Sequence, residues 1–477
     1  MLRFFFTCFL FLTLAGCSLA PELAKPAAPI PGAYPHASPA VDDPAVNVGW
    51  RSMFVDPRLQ RLIELALDGN RDLRQSVLNV DIAYSQYGIL RAAHLPGVDA
   101  TIGAARQRGV VDGTSSVTEQ HSATIGMNAF ELDLFGRVRS LSDAGFARYL
   151  ASAEGLRAAR LALVAAVADA YVTELFAAEQ LGLAERTAKD WRQSLSLIRR
   201  LHAAQQASGL DVAQAEGQVA TAEADIEGRR RVLAQSRNAL VLLIGVDLPT
   251  DLPPAMALAD GPMLDRLPAG LPSDLLVRRP DILQAERNLA AANADIGAAR
   301  AAFFPRLSLT GTLGYASAGL GKLFDSQHRS WTFAPQVVLP LFSHGRLRAE
   351  LRVAELRKNL AVVEYERVIQ VAFHEVADGL AGQATFGQQM AAQEAVVAAS
   401  ERRARLSELR YRAGMESRLE LLDSQRQLYL ARQGLLELRR FEFASAIAMY
   451  KAIGGDPGDG NQFQTLRTDV TPFGQLR

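Results

Sequence analysis

Between positions 342 and 455 the chain runs for more than a hundred residues without a proline, which restricts the possible folds more than any other feature. The stretch (RLRAELRVAELRKNLAVVEYERVIQVAFHEVADGL, then QEAVVAASERRARLSELRY) is dominated by Ala, Leu, Arg, Glu and Gln, all strong helix formers. Helix is expected almost throughout, with one interruption at Ala413-Gly414-Met415-Glu416-Ser417. There a glycine suited to a left-handed helix end precedes Ser417 and Glu420 in capping-box spacing. The arm from Gly345 to Tyr411 would reach roughly 100 Å at about 1.5 Å per residue, far beyond an ordinary globular helix.

The pattern occurs twice. Leu134-Phe135-Gly136-Arg137 matches Leu341-Phe342 and Gly345-Arg346, Val167-Ala168-Asp169 matches Val376-Ala377-Asp378, and Ile244-Gly245 matches Ile453-Gly454. Gln75 pairs with Gln284, Asn79 with Asn288 and Pro96 with Pro305, most at an offset of about 209 positions, as a duplicated large unit produces. The hairpin turn of the first copy is assigned to Gly209, against Gly414 in the second, which departs from that offset and implies an indel in one arm. The expected organisation is a first repeat over 46–254 (strands about 96–107 and 122–135, helical hairpin 136–245). A second repeat follows over 255–455 (strands about 305–316 and 330–341, helical hairpin 344–454), then an irregular tail over 456–477.

Residues 1–16 combine Arg3 with an apolar run too short to span a bilayer, the pattern of a signal peptide. The run ends in Leu14-Ala15-Gly16-Cys17, which resembles the bacterial lipobox. Cys17 is thereby expected to be the mature, lipid-bearing N-terminus, and Ser18 beside it favours outer-membrane sorting. Cys8 lies in the removed segment, so no intramolecular disulfide is expected. Residues 17–45 are rich in Pro and Ala and are expected to form an extended tether. The folded part opens at Trp50 and at Asp56-Pro57, with Pro57 placed for a first helical turn.

The chain carries 51 basic and 51 acidic side chains, so no net field points to nucleic acid. Beyond the signal no uninterrupted apolar run of spanning length is evident, and a membrane crossing would have to be made by strands. Before each helical hairpin the periodicity changes from 3.6 to 2. Leu307, Leu309, Leu313 and Tyr315 alternate with small or polar residues, Trp331, Phe333, Val337, Leu339 and Leu341 share one face, and Val98, Ala100 and Ile102 alternate with Asp99, Thr101 and Gly103. The segment 122–135 alternates less cleanly. Strands of about ten residues with one apolar face suit a membrane barrel with a wet lumen, and the polar segments 109–119 and 316–329 are expected to be external loops. Four strands cannot close alone, since single-chain barrels start at about eight. Three copies would supply twelve strands and a water-filled pore, whereas two would give a barrel filled by its own side chains.

The chain resembles the outer-membrane efflux proteins of the TolC and OprM type, in the NodT lipoprotein branch. The resemblance rests on Gly270-Leu271-Pro272-Ser273-Asp274-Leu275-Leu276 with Arg278-Arg279-Pro280-Asp281-Ile282, on 302–311 (AFFPRLSLTG), and on Tyr411-Arg412-Ala413-Gly414 with Leu421-Leu422-Asp423. It implies a mainly α fold with a β-barrel portion: a homotrimer with a shared twelve-stranded barrel, a coiled-coil periplasmic tunnel, and as partners a periplasmic adaptor and an inner-membrane pump of the resistance-nodulation-division class. The implied function is a passive, gated duct exporting small molecules, with a type I secretion duct or a structural envelope spacer as alternatives. In such proteins acids after the second hairpin turn constrict the mouth, which implicates Glu416, Glu420 and Asp423, with Arg418 or Arg412 as basic partners. Glu416 departs from the pattern, since the site two residues after the glycine is basic in TolC-like members and often Asp in OprM-like ones. Locally, Ser273 is expected to cap a short helix and Pro280-Asp281 to start the next. The seven scattered histidines form no HExxH, and GxSxG and P-loop motifs are absent, so neither an enzyme nor any cofactor beyond the lipid on Cys17 is expected.

Overall fold

The computed structural model describes residues 19–35, 49–111, 114–267 and 272–455. In chain order the main elements are α1 (Pro57–Gly69), α2 (Arg71–Ala92), β1 (Asp99–Val111), β2 (Thr114–Leu132), α3 (Arg137–Ala203), α4 (Gly209–Ile244), α5 (Pro272–Arg278), α6 (Pro280–Ala301), β3 (Arg306–Ser317), β4 (Arg329–Val338), α7 (Arg346–Arg412) and α8 (Arg418–Ala452). Both α3 and α7 are unbroken for 67 residues. The chain divides into two compact units, one built on 1–28, 78–154 and 283–367 and the other on 29–77, 155–282 and 368–477.

The first unit carries a four-stranded antiparallel sheet in the order β1-β2-β3-β4. Its register aligns Ala100, Ile125, Leu313 and Trp331 across all four strands. The neighbouring row is Thr101, Thr124, Gly314 and Ser330. Because successive side chains in a strand point to opposite faces, one face is apolar and the other small and polar. Trp331, Phe333 and Val337 on the apolar face are all more than 60% exposed in the single chain.

One expectation about the strands is corrected and one irregularity is explained. Strands β1 and β2 continue through most of the segment expected to be a loop at 109–119, pairing as far as Val111 with Thr114. Arg106 faces Glu119 across the ladder and pairs with it at 3.0 Å. Apart from Val110, Val111 and Val117 this ribbon is polar or glycine, so it shows no regular hydropathy alternation. The irregular alternation of 122–135 has a geometric cause, a register shift between Met127 and Phe130 with Ala129 at φ 50°. An inserted residue of this kind moves the apolar set out of phase.

The segment 17–45 is not a free tether where it is described. In the first unit Arg300 donates to the Leu19 carbonyl (3.3 Å), Asn293 donates to the Pro21 carbonyl (2.7 Å), and Lys25 pairs with Glu286 (2.6 Å). The three α6 residues recur every seven positions along one helix face. Gly297 lies against Ala20, with no room for a Cβ. In the second unit Tyr34 is buried and stacks on Phe373 with ring centres 5.0 Å apart.

The core of the second unit forms where α1 buries Leu59, Leu62, Ile63 and Ala66 and a helical turn buries Trp50 and Met53. Asp56 is wholly buried, caps α1 through Arg58 N (2.8 Å), and accepts from Tyr171 Oη (2.5 Å) and Met256 N (3.2 Å). Burial and this bond push the Tyr171 phenol well above its ordinary range. One stretch of α3 is, contrary to expectation, long and apolar enough to cross a bilayer, yet 61% of it is buried inside the chain. Leu161, Val164, Val167, Ala168 and Val172 are among its buried residues, which marks a core helix.

The duplication is visible as a repeated joint. Asn70, between α1 and α2, donates to the Leu243 carbonyl at 2.7 Å, and Arg279, between α5 and α6, donates to the Ala452 carbonyl at 2.9 Å. Each ties an interhelix corner to the end of the returning hairpin helix. Arg279 adds ion pairs to Asp281 and Glu375, both at 2.6 Å. Burial alone would pull its pKa down, but these carboxylates hold it above its ordinary value. Ser273 lies inside α5 rather than before it, so its expected capping role is not the one observed.

Candidate functional site at the hairpin tips

Helices α3 and α4 form one hairpin and α7 and α8 a second, and their turns are built alike. In the second, Gly414 has φ 73° and its N–H donates to the Tyr411 carbonyl (3.0 Å), while Met415 N–H donates to the Arg410 carbonyl (2.9 Å). In the first, Gln205 has φ 57°, its N–H donates to the His202 carbonyl (2.9 Å), and Gln206 N–H donates to the Leu201 carbonyl (2.8 Å). Gly209 is therefore not the left-handed turn residue. It is the first residue of α4, after the N-cap Ser208. Gln205 is the counterpart of Gly414, the common offset is kept, and the inferred indel does not exist. Sequence reading followed glycine because glycine suffers least at positive φ, but a single glutamine is tolerated there at a cost.

The caps differ in completeness. At Ser208 the box is reciprocal: its hydroxyl accepts from Asp211 N (3.1 Å) while the Asp211 carboxylate accepts from Ser208 N (2.9 Å). The Ser208 hydroxyl, which donates to the Asp211 carboxylate at 2.7 Å, and the Ser208 N–H together hold that carboxyl below its ordinary range. At Ser417 the forward half forms, with Glu420 N donating to the hydroxyl at 3.3 Å. The Glu420 side chain instead accepts from Arg403 (2.7 Å), so the expected second half is replaced by an ion pair across the hairpin.

Each acid proposed for the mouth is neutralised within its own chain. Arg403 reaches both Glu420 (2.7 Å) and Asp423 (3.1 Å), and Arg426 adds a second bond to Asp423 (2.8 Å). Glu416 accepts from Ser407 Oγ (2.9 Å), with Arg410 Nε 3.1 Å from its other oxygen, close enough for an ion pair but not aligned as a hydrogen bond. The expected basic partners are elsewhere. Arg412 pairs with Glu408, and Arg418 is 5% exposed, donates to Ser194 Oγ (3.2 Å) and lies over the Tyr411 ring at 5.5 Å. Arg403, Arg410, Ser407 and Asp211 were not anticipated. A signal existed: Arg403 and Asp423 are nearly equidistant from the Gly414 turn. Folding the sequence about each turn brings such pairs together. Cys17 and the tail 456–477 lie outside the described residues.

Comparison with known proteins places this geometry. The family model described as outer membrane efflux protein matches twice, at residues 62–246 and 271–455. The chain belongs to the outer membrane efflux protein family. Among its relatives, a toluene efflux pump outer membrane protein, TtgC of Pseudomonas putida, is 44% identical over 468 residues, covering 95% of this chain and 96% of the relative. Outer membrane protein OprJ of Pseudomonas aeruginosa is 42% identical over 461 residues, covering 96% of each. The open-state MtrE outer membrane channel of Neisseria gonorrhoeae superposes with a TM-score of 0.84 at 39% identity, covering 92% of this chain and 98% of that one. A Pseudomonas aeruginosa membrane protein superposes with a TM-score of 0.85 at 41% identity, covering 92% of this chain and 100% of that one. The fold is TolC-like and the protein is an outer-membrane efflux channel; its relatives are channels rather than enzymes. The spacer alternative is thereby set aside.

Proposed function

We propose that three copies of this chain form the outer-membrane duct of a tripartite efflux pump, with Cys17 lipidated and the hairpin tips forming a gated periplasmic mouth. The observation that carries the reading is the four-stranded sheet, which has opposite apolar and polar faces and leaves β1 and β4 unpaired at its edges. In hydrocarbon an unpaired edge is untenable, and three sheets joined edge to edge close a twelve-stranded barrel with its polar face toward the lumen. A second feature supports self-association: Val353, Leu356, Leu360 and Val363 on α7 are 46–69% exposed at alternating spacings of three and four, a heptad seam left uncovered by the described residues. The inward-facing partners are a periplasmic adaptor and an inner-membrane pump of the resistance-nodulation-division class, as befits relatives named for antibiotic and toluene efflux. The cargo is small molecules of that kind.

Native mass spectrometry of the full chain in detergent tests the assembly and is expected to give trimers. A stable monomer that conducts in planar bilayers would overturn it. Labelling with palmitate is expected to vanish in Cys17→Ser, and equal labelling of the two proteins would remove the lipid from the account.

A further inference from the structure

The apolar face of the sheet changes character toward the end remote from the helices. Beyond the row of Ala100, Ile125, Leu313 and Trp331, the same face presents Ile102, Ala123, Tyr315 and Arg329, then Ala104, His121 and Ser317, because alternate residues share a face. Past Ser317 only the ribbon of β1 and β2 continues, and this face carries Arg106 opposite Glu119, then Arg108 opposite Val117. Arg106 is paired with Glu119, whereas Arg108 donates to the Ser115 hydroxyl (2.9 Å) and has no carboxylate partner among the described residues. The segment between β3 and β4 folds onto the same face: Phe324 packs edge-on against Tyr315 with ring centres 5.6 Å apart, and Leu323 beside it is buried. Phe324 and Leu320 nevertheless remain 70% and 67% exposed, and Lys322 and Arg329 are exposed beside them. Among the described residues of 104–121 and 315–329, four basic side chains stand against two acids, Glu119 and Asp325.

We propose that this outward ledge binds a phosphorylated glycolipid of the outer leaflet, lipopolysaccharide, with its acyl chains against Tyr315, Phe324 and Leu320 and its phosphates on Arg108, Lys322 and Arg329. Bare aromatic and aliphatic side chains at a membrane boundary suit acyl chains, and guanidinium groups suit phosphate. A ledge with both chemistries fits an anionic amphiphile better than a free anion. The height of the cations selects a large headgroup. Arg329 lies in the row of Ile102, so Arg108 stands six residues further along the strand, roughly 20 Å at about 3.3 Å per residue. Phosphates carried on a chain of sugars reach both levels, whereas the single phosphate of a small lipid reaches one. Arg108 is on β1 and Arg329 on β4, opposite edges of the sheet, so the edge-to-edge closure proposed above brings the two strands side by side at each seam between copies. The inference rests on that barrel and gives three equivalent sites per trimer.

The test titrates the full-length trimer in detergent with lipopolysaccharide of short, defined sugar chain, with its dephosphorylated form and with phosphatidylglycerol, counting bound lipids by native mass spectrometry. The wild type is expected to bind the dephosphorylated form at least about tenfold more weakly than the intact one. Arg108→Gln with Lys322→Gln and Arg329→Gln should lower affinity for the intact lipid by a similar factor, and Arg108→Lys with Arg329→Lys should retain most of it. Arg231→Gln, on α4, should leave binding unchanged. Phe324→Ser should weaken binding of both forms while keeping the preference for phosphate. Equal affinity of the wild type and the triple variant for lipopolysaccharide would overturn the proposal, as would equal affinity of the wild type for the intact and dephosphorylated forms. Phosphatidylglycerol binding as tightly as lipopolysaccharide would also overturn it, in favour of a general anionic-lipid surface. Bilayer conductance on the same preparation separates this from the duct reading: conducting trimers without a preference for lipopolysaccharide sink the ledge alone, whereas a wild type that forms no trimers sinks the duct and the ledge with it.

Discussion

The residue whose removal should cost most is Arg279. Its guanidinium meets Asp281, Glu375 and the Ala452 carbonyl, so Arg279→Ala leaves two carboxylates and a carbonyl facing one another in a mostly enclosed corner. Breaking a fully buried pair on one side typically costs about 3–5 kcal/mol; here Asp281 and Glu375 are 36% and 33% exposed, so the cost falls below that range, and the variant is expected to melt earlier in a thermal scan of the detergent-solubilised protein. The duplication supplies a sharper control. Asn70 holds the corresponding joint through a single bond to Leu243, so Arg279→Asn restores at most the carbonyl tie and should still lose most of the stability; full recovery would show that the ion pairs contribute little. The importance of Arg279 was visible in the sequence as part of a motif, but its partners were not. Glu375 is 96 positions away and is brought near only by the return of α7.

At the scale of the element, the two hairpins form a paired experiment. Gln205 and Gly414 occupy the same left-handed position of two turns with the same backbone bonds. A non-glycine residue there is strained by roughly 1–2 kcal/mol, partly offset by the lower chain entropy of the unfolded state. Gln205→Gly should therefore stabilise the first turn and Gly414→Gln destabilise the second, each by about 1 kcal/mol, measurable as opposite changes in amide exchange beside the turns. The caps add a pH dependence. The Asp211 carboxyl is held below its ordinary pKa by its bonds to Ser208. Its contribution is complete above the unfolded value and is lost as pH falls through the lowered folded value. The first turn should accordingly fray in acid, and Asp211→Asn should remove that dependence; an unchanged acid response in the variant would discount the cap. The long helices, their turns and the alternating strands were legible because each depends on local composition and period. The bulge near Ala129, the polar extension of β1 and β2, the docking of residues 19–35 and the Gln205 turn were not, because each is decided by a partner distant in sequence or by a residue holding a conformation it does not favour.

For the whole molecule, the charge of the mouth decides what the assembled duct leaks at rest. From the sequence, three copies of Glu420 or of Asp423 would form an acid ring. At about 7 Å, like charges repel by about 0.6 kcal/mol per pair in water and about 2.4 kcal/mol at an effective dielectric of 20. The structure supplies the counter-charge within each chain, since Arg403 bridges both acids and Arg426 takes the free side of Asp423. Two acids and two arginines leave this patch formally neutral. Replacing Glu420 by Gln and Asp423 by Asn does not merely discharge an acid ring; it uncovers Arg403 and Arg426. Residual current in planar bilayers should then move toward anions. Arg403→Gln should do the opposite, exposing Glu420 and loosening the tie between α7 and α8, so that cation preference and resting conductance rise together. Both shifts should shrink as salt is raised, because the groups are close to half exposed and are screened over about 10 Å at 0.1 M. Reversal potentials unchanged in both variants, from proteins that still form trimers, would remove these residues from the mouth and leave them as ties that register one hairpin.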